Sequence, residues 1–179
     1  RLSNPGGQRR GSREGPMRAG FVAAGFFFAH ASFLALVPPD PFLPYLFMGE
    51  EILLTARLWT AGFDIYAPEV NVLAHEYVRP NSRKFWETVN MVFDRDGMHN
   101  DLTDVVLARW ERLLGIPEAP QAKQAPPGIF VRGGEFGLST ARSREDFMRV
   151  MGIDIDAKKQ QVPEWCKTGD APPRAVHGA

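Results

Sequence analysis

The chain has 179 residues, with 21 Lys and Arg against 21 Asp and Glu, so its formal charge is zero and no global basic field exists to attract nucleic acid. Hydrophobic residues make up 44% and charged residues 23%, which excludes a wholly disordered chain and a multi-span membrane protein. The length supports one core, and the single Cys166 excludes internal disulfide scaffolds and cysteine-rich zinc sites.

With 17 Gly and 15 Pro the chain exceeds the usual share of these residues, about 12% together, and long loops around a modest core are expected. Residues 1–19 form a Gly/Pro/Arg segment without apolar periodicity, which predicts flexibility. The chain opens on Arg1 and reads as the interior of a larger gene product. Phe21 to Val37 is an apolar run behind arginines, the pattern of a signal peptide or short anchor. It is shorter than a spanning helix requires and meets Pro38 and Pro39, so the preferred reading is a buried strand, 21–28, then a short helix, 32–37, capped by Ser32. Four prolines between residues 38 and 44 force an extended path. Gly49, Glu50 and Glu51 then open a helix whose Leu53, Leu54, Leu58 and Ala61 recur at helical spacing, with Arg57 and Thr60 on other faces and Gly62 as the stop.

Residues 63–66 and 70–75 read as two short strands, which with the preceding helix implies an α/β architecture. Further helices are expected over 82–93, with Ser82 as cap, and over 101–114, with Leu102, Val105, Val106, Arg109 and Leu113 in register. Residues 116–128 have the composition of a linker, 129–160 hold one compact stretch, and 161–179 should fray.

The residues able to carry chemistry cluster in two places. Glu50 projects from a tight Gly turn behind the aromatic segment FLPYLF, where a carboxylate can hold sugar or acceptor hydroxyls. Glu51 shares that position, although any carboxylate is favoured at a helix N-terminus. His75 ends a predicted strand and is followed by Tyr77 and Arg79, which sets a metal-capable imidazole beside a cation able to neutralise phosphate. Asp94-Arg95-Asp96 is a D-x-D triplet, but it ends a predicted helix and carries little weight. No P-loop, G-x-G-x-x-G or G-x-S-x-G is present.

The segment from Gly20 to Pro80, and most specifically LPYLFMGEEILLTARLWTAGFDIYAP, resembles the C-terminal half of the GT-A-type polypeptide N-acetylglucosaminyltransferases. It is more distantly similar to the mucin-type polypeptide GalNAc-transferases, which show a Gly-Glu helix start, an Arg-x-Trp and a strand-end His in this order, here Arg57-Leu58-Trp59 and His75. Arg142-Ser143-Arg144, Asp146 and Gly152-Ile153-Asp154 resemble the family's C-terminal segment, with a plain capped helix as the alternative.

The resemblance implies the C-terminal part of a GT-A fold over 20–115 and metal-dependent, retaining transfer of N-acetylglucosamine from UDP-GlcNAc to a polypeptide hydroxyl. It implies Glu50 and Glu51 as acceptor-side carboxylates, His75 as a ligand of Mn²⁺ or Mg²⁺, and Tyr77 and Arg79 on the loop over the diphosphate. It also implies a D-x-D upstream of Gly20, which this chain lacks, so a fragment poor in donor binding is expected. The partners expected are a nucleotide-sugar donor and a polypeptide acceptor, with neither nucleic acid nor membrane. The compartment expected is the cytoplasm, with an anchored enzyme of the Golgi lumen as the alternative. The competing expectations are an interaction domain that lost its chemistry and a non-enzymatic protein anchored through 21–37.

Overall fold

The computed structural model describes residues 16–68, 70, 72–76, 80–85, 87–89, 98–116, 127–157 and 159–168. Strand β1, Met17–Arg18, pairs antiparallel with β2, Tyr66–Ala67, placing Met17 opposite Ala67 and Arg18 opposite Tyr66. Between them lie helices α1, Ser32–Leu36, and α2, Glu50–Thr60. Helix α3, Met98–Leu114, follows, then a 3₁₀ turn, Pro127–Phe130, and the short α4, Gly133–Phe136. Helix α5, Arg144–Met151, leads into β3, Ile153–Asp154, which pairs antiparallel with β4, Lys159–Gln160, before α6, Glu164–Thr168.

Helix α2 is the centre of the molecule. Leu53 and every residue from Thr55 to Thr60 are buried, so past its first turn the helix is enclosed on nearly every side although Thr55, Arg57 and Thr60 are polar. Leu53, Ala56 and Trp59 meet Leu113 and Leu114 of α3 and Phe147, Met148, Val150 and Met151 of α5. On the other side Leu58 joins Val22 and Val37, with Leu54, Ala61, Phe33 and Ile65 around them. Gly62 at φ 96° ends the helix, its N–H taking the Trp59 carbonyl while Phe63 takes that of Leu58.

Arg57 and Thr60, expected on polar faces, are buried instead. Arg57 Nη2 donates to the Pro38 carbonyl at 2.7 Å and Nε to that of Gly137 at 3.3 Å, so the charge sits in a cage of backbone oxygens. Burial holds the Arg57 pKa below its ordinary value, with the Asp40 charge opposing and the Arg109 charge reinforcing that shift. Thr60 donates to the Ala56 carbonyl and accepts the Ser139 N–H at 3.1 Å.

The tripeptide Arg142-Ser143-Arg144 ties three helices together. Ser143 caps α5 by accepting the Asp146 N–H at 3.1 Å, the plain capped helix that was the alternative reading. Arg142 reaches the C-terminus of α2, donating to the carbonyls of Gly62 at 2.9 Å and Phe63 at 3.1 Å over the face of Trp59. Arg144 does the same for α3 through the Gly115 carbonyl. Each guanidinium thus lies where a helix presents unpaired carbonyls and partial negative charge.

Asp64 joins this cluster to the small β1–β2 ladder, pairing with Arg18 and, at 3.0 Å, with Arg142. Burial pushes its carboxyl upward, but the hydrogen bond from Arg18 and the charge of Arg142 outweigh that and hold it below the usual carboxylate range. A depressed folded value means the stabilisation is complete above the unfolded carboxyl value, about 3.9, and is lost as pH falls through the folded one. Thermal midpoints measured from pH 7 to pH 2 should therefore drop less steeply at the acidic end in Asp64→Asn than in the native chain.

Three expectations are corrected. Residues 21–28 form no strand: they run as an irregular segment with a turn at Ala24-Gly25, and Phe28 is 93% exposed. Strand hydrogen bonds need a partner edge, and the segment instead lies along α2, where Val22 N–H donates to Thr55 Oγ1 and Ala24 N–H to Glu51 Oε1. Of the strands expected over 63–66 and 70–75, the described residues form only Tyr66–Ala67, which pairs with β1, while Val70 and residues 72–75 are irregular. Ser32 begins α1 without capping it; its hydroxyl pairs with His30 Nδ1 at 3.0 Å, and Ala31 holds the cap position.

The helix expected over 82–93 is seen at Phe85 and residues 87–89, where Glu87 Oε2 accepts the Lys84 N–H; Ser82 to Lys84 are not helical, and residues 86 and 90–93 lie outside the described residues. Helix α3 begins three residues earlier than expected. In α6, Trp165 Nε1 donates to the Val150 carbonyl, joining Trp165 to the core expected to end before it. Among the described residues no helix is long and apolar enough to cross a membrane.

Candidate functional site

The site gathers around the first turn of α2. Gly49 precedes it at φ 100°, a conformation that L side chains rarely adopt, and its carbonyl accepts the Trp110 Nε1–H at 2.9 Å. A Cβ at this position would lie 2.8 Å from the Trp110 indole ring. The close approach of α3 therefore sets where the helix starts and where its first carboxylates point. Gly49→Ala is expected to cost about 1–3 kcal/mol from backbone strain and steric conflict together, read as a lower urea midpoint with unchanged slope.

The two carboxylates are not equivalent. Glu51 is exposed and already committed, its Oε1 accepting the Ala24 N–H at 2.9 Å and so holding the 22–24 segment along the helix. Glu50 is half-buried, and among the described residues its side chain has no hydrogen bond or ion pair. It stands where the helix N-terminus favours negative charge, free to accept hydrogen bonds from a ligand hydroxyl.

Immediately before Gly49 the chain exposes Tyr45, Phe47 and Met48, and Phe47 stacks on Phe85 with centroids 4.9 Å apart and planes at 17°. The loop beneath them is fixed by a buried ion pair. Arg109 donates from Nε to Asp40 Oδ2 at 2.8 Å and from Nη2 to Oδ1 at 3.1 Å, with side chains only 1% and 3% exposed. Nη1 of Arg109 binds the carbonyls of Ile129 and Val131, and its guanidinium lies over the Phe42 ring. Sequence reading placed Arg109 on the apolar face of its helix but gave no partner, since Asp40 lies 69 residues away. No sequence signal marked Trp110 as the residue that shapes the Gly49 turn.

Of the other predicted site residues, only His75 lies among the described ones. His75 is exposed on an irregular segment, and nothing places it beside Glu50. Tyr77, Arg79 and Asp94-Arg95-Asp96 lie outside the described residues. Among the described residues no group of three or more His, Cys, Asp or Glu side chains could hold a metal ion, so His75 supplies at most one donor and these residues do not complete a metal centre. A cavity of about 200 Å³ between Arg109, Arg112, Phe130 and Leu138 is lined by none of the predicted site residues.

The family model described as Glycosyltransferase (GlcNAc) matches residues 7–157, which takes in α1 through α5 and the whole Glu50 region. No curated protein and no solved structure matches the chain.

Proposed function

Because the chain belongs to the glycosyltransferase (GlcNAc) family, we propose that it forms the acceptor-side part of a metal-dependent, retaining transferase. In this reading N-acetylglucosamine passes from UDP-GlcNAc to a polypeptide hydroxyl within a GT-A fold. The bond from the sugar C1 to the diphosphate oxygen breaks, a bond from C1 to the acceptor oxygen forms, and the acceptor hydroxyl's proton passes to the departing UDP; a carboxylate that accepts that hydroxyl's hydrogen bond orients it for attack. The observation that carries the assignment is the half-buried Glu50 at the head of α2, without a hydrogen bond or ion pair among the described residues, inside the family match and beside an exposed aromatic loop. Glu51, already bonded to Ala24, holds the neighbouring backbone in place and stands second to Glu50 at the acceptor.

His75 is proposed as one ligand of Mn²⁺ or Mg²⁺, and Tyr77 and Arg79 as the diphosphate-facing pair. A bound cation would stabilise charge developing on the leaving diphosphate; the rest of its ligand set must come from residues beyond the described ones. Calorimetry of UDP binding with and without Mn²⁺ tests this. The expected result is Mn²⁺-dependent binding that weakens at least tenfold in His75→Ala. Metal-independent binding, or no binding, would overturn the reading.

A further inference from the structure

The cavity of about 200 Å³ lies between α3, which gives it Arg109, Arg112 and Leu113, and the stretch from Phe130 to Leu138. Its wall is set in place by the fold. Arg109 Nη1 donates to the carbonyls of Ile129 and Val131, the two neighbours of Phe130, so that ring is held from both sides before any ligand arrives. Gly133 and Gly137 bring bare backbone to the wall, and a Cβ on Gly137 would collide with the Gly133 carbonyl, so no side chain fills that part of the cavity. Among the described residues none that lines it is acidic.

The two arginines differ in what they leave free. Arg109 engages Asp40 through Nε and Nη2, so its charge is matched. Arg112 is exposed, has no hydrogen bond or ion pair among the described residues, and lies over the Phe130 ring, 4.5 Å from its centroid. A guanidinium over a ring face keeps its N–H edge available to a planar acceptor. One uncompensated cation thus borders the apolar side chains of Leu113, Phe130 and Leu138. A carboxylate matches the guanidinium fork through two parallel hydrogen bonds, and its single charge balances the single free cation. A diphosphate would carry more charge into apolar surroundings than one arginine neutralises. A dry cavity of about 150 Å³ admits benzene, so this one admits a single ring, or a short branched chain, bearing the carboxylate.

We infer that this cavity binds a small monocarboxylate with an apolar body, its carboxylate on Arg112 and its body between Leu113, Phe130 and Leu138. The inference does not rest on the transferase reading, since neither Glu50, Glu51 nor His75 lines the cavity. Ligand-observed NMR titration tests it with benzoate, its uncharged analogue benzamide, acetate and inorganic phosphate. The proteins are the native chain, Arg112→Gln and Phe130→Ala, with thermal midpoints recorded alongside. The native protein should bind benzoate about tenfold tighter than benzamide or acetate, because both charge and ring are recognised. Arg112→Gln should lose about tenfold for benzoate and nothing for benzamide, whereas Phe130→Ala should weaken both. Among the described residues Arg112 makes no polar contact besides that with the Phe130 ring, so Arg112→Gln should keep the native midpoint. Absence of saturable benzoate binding, native affinity retained in Arg112→Gln, or acetate or phosphate bound as tightly as benzoate would overturn the site.

Discussion

Arg109→Met is expected to lower stability by about 3–5 kcal/mol, the largest loss anticipated for any single substitution in this chain. The guanidinium joins Asp40 and the Ile129 and Val131 carbonyls in a site from which water is excluded. Removing it leaves the Asp40 carboxylate buried without its counter-charge, which costs more than the pair contributes over an apolar replacement. Arg109→Met combined with Asp40→Leu should therefore recover part of the loss, with the two carbonyls still unpaired. Urea unfolding followed by tryptophan fluorescence would report this order. A loss below about 1 kcal/mol in the single variant would show that the pair is solvated and weak.

Glu50→Gln is expected to reduce sugar transfer by about 10²–10³-fold while changing stability by less than about 1 kcal/mol, because the side chain contacts no described partner and contributes only its charge to the helix N-terminus. Glu51→Ala should divide the other way. It frees the Ala24 N–H and costs stability, and its effect on transfer should be smaller than that of Glu50→Gln. Assay and melting curve together discriminate the roles. Equal activity losses in the two variants would contradict the distinction drawn from their hydrogen bonds.

Helices α2 and α3 were legible because apolar residues recur at helical spacing and glycines in the left-handed region follow them, Gly62 and Gly115, whereas α5 was read only as an alternative, a capped helix. The carboxylates at the head of α2 were legible for the same reason. The strands were not, because an apolar run such as Phe21 to Phe28 carries no information about whether a partner edge exists, and here α2 replaces it. Sequence set Arg57 off the apolar face of α2, put Arg109 in the apolar register of α3 without a partner, and gave Arg142 no structural role; their burial depends on carbonyls and carboxylates 19 to 80 residues distant. The difference between Glu50 and Glu51 has the same origin, since it is set by the Ala24 backbone, 27 residues before Glu51. Fixing the Gly49 turn against Trp110 likewise required the crossing of α2 and α3, which no local pattern encodes.

Under the proposed function this chain takes part in moving N-acetylglucosamine onto a polypeptide. Incorporation of radiolabelled sugar from UDP-GlcNAc into a hydroxyproline- or threonine-bearing peptide, with the native gene product beside Glu50→Gln, tests it most directly. Mn²⁺-dependent incorporation by the native protein is expected, with near-complete loss in the folded Glu50→Gln variant. Incorporation undiminished in that variant, or none by the native protein with any hydroxyl-bearing peptide, would contradict it.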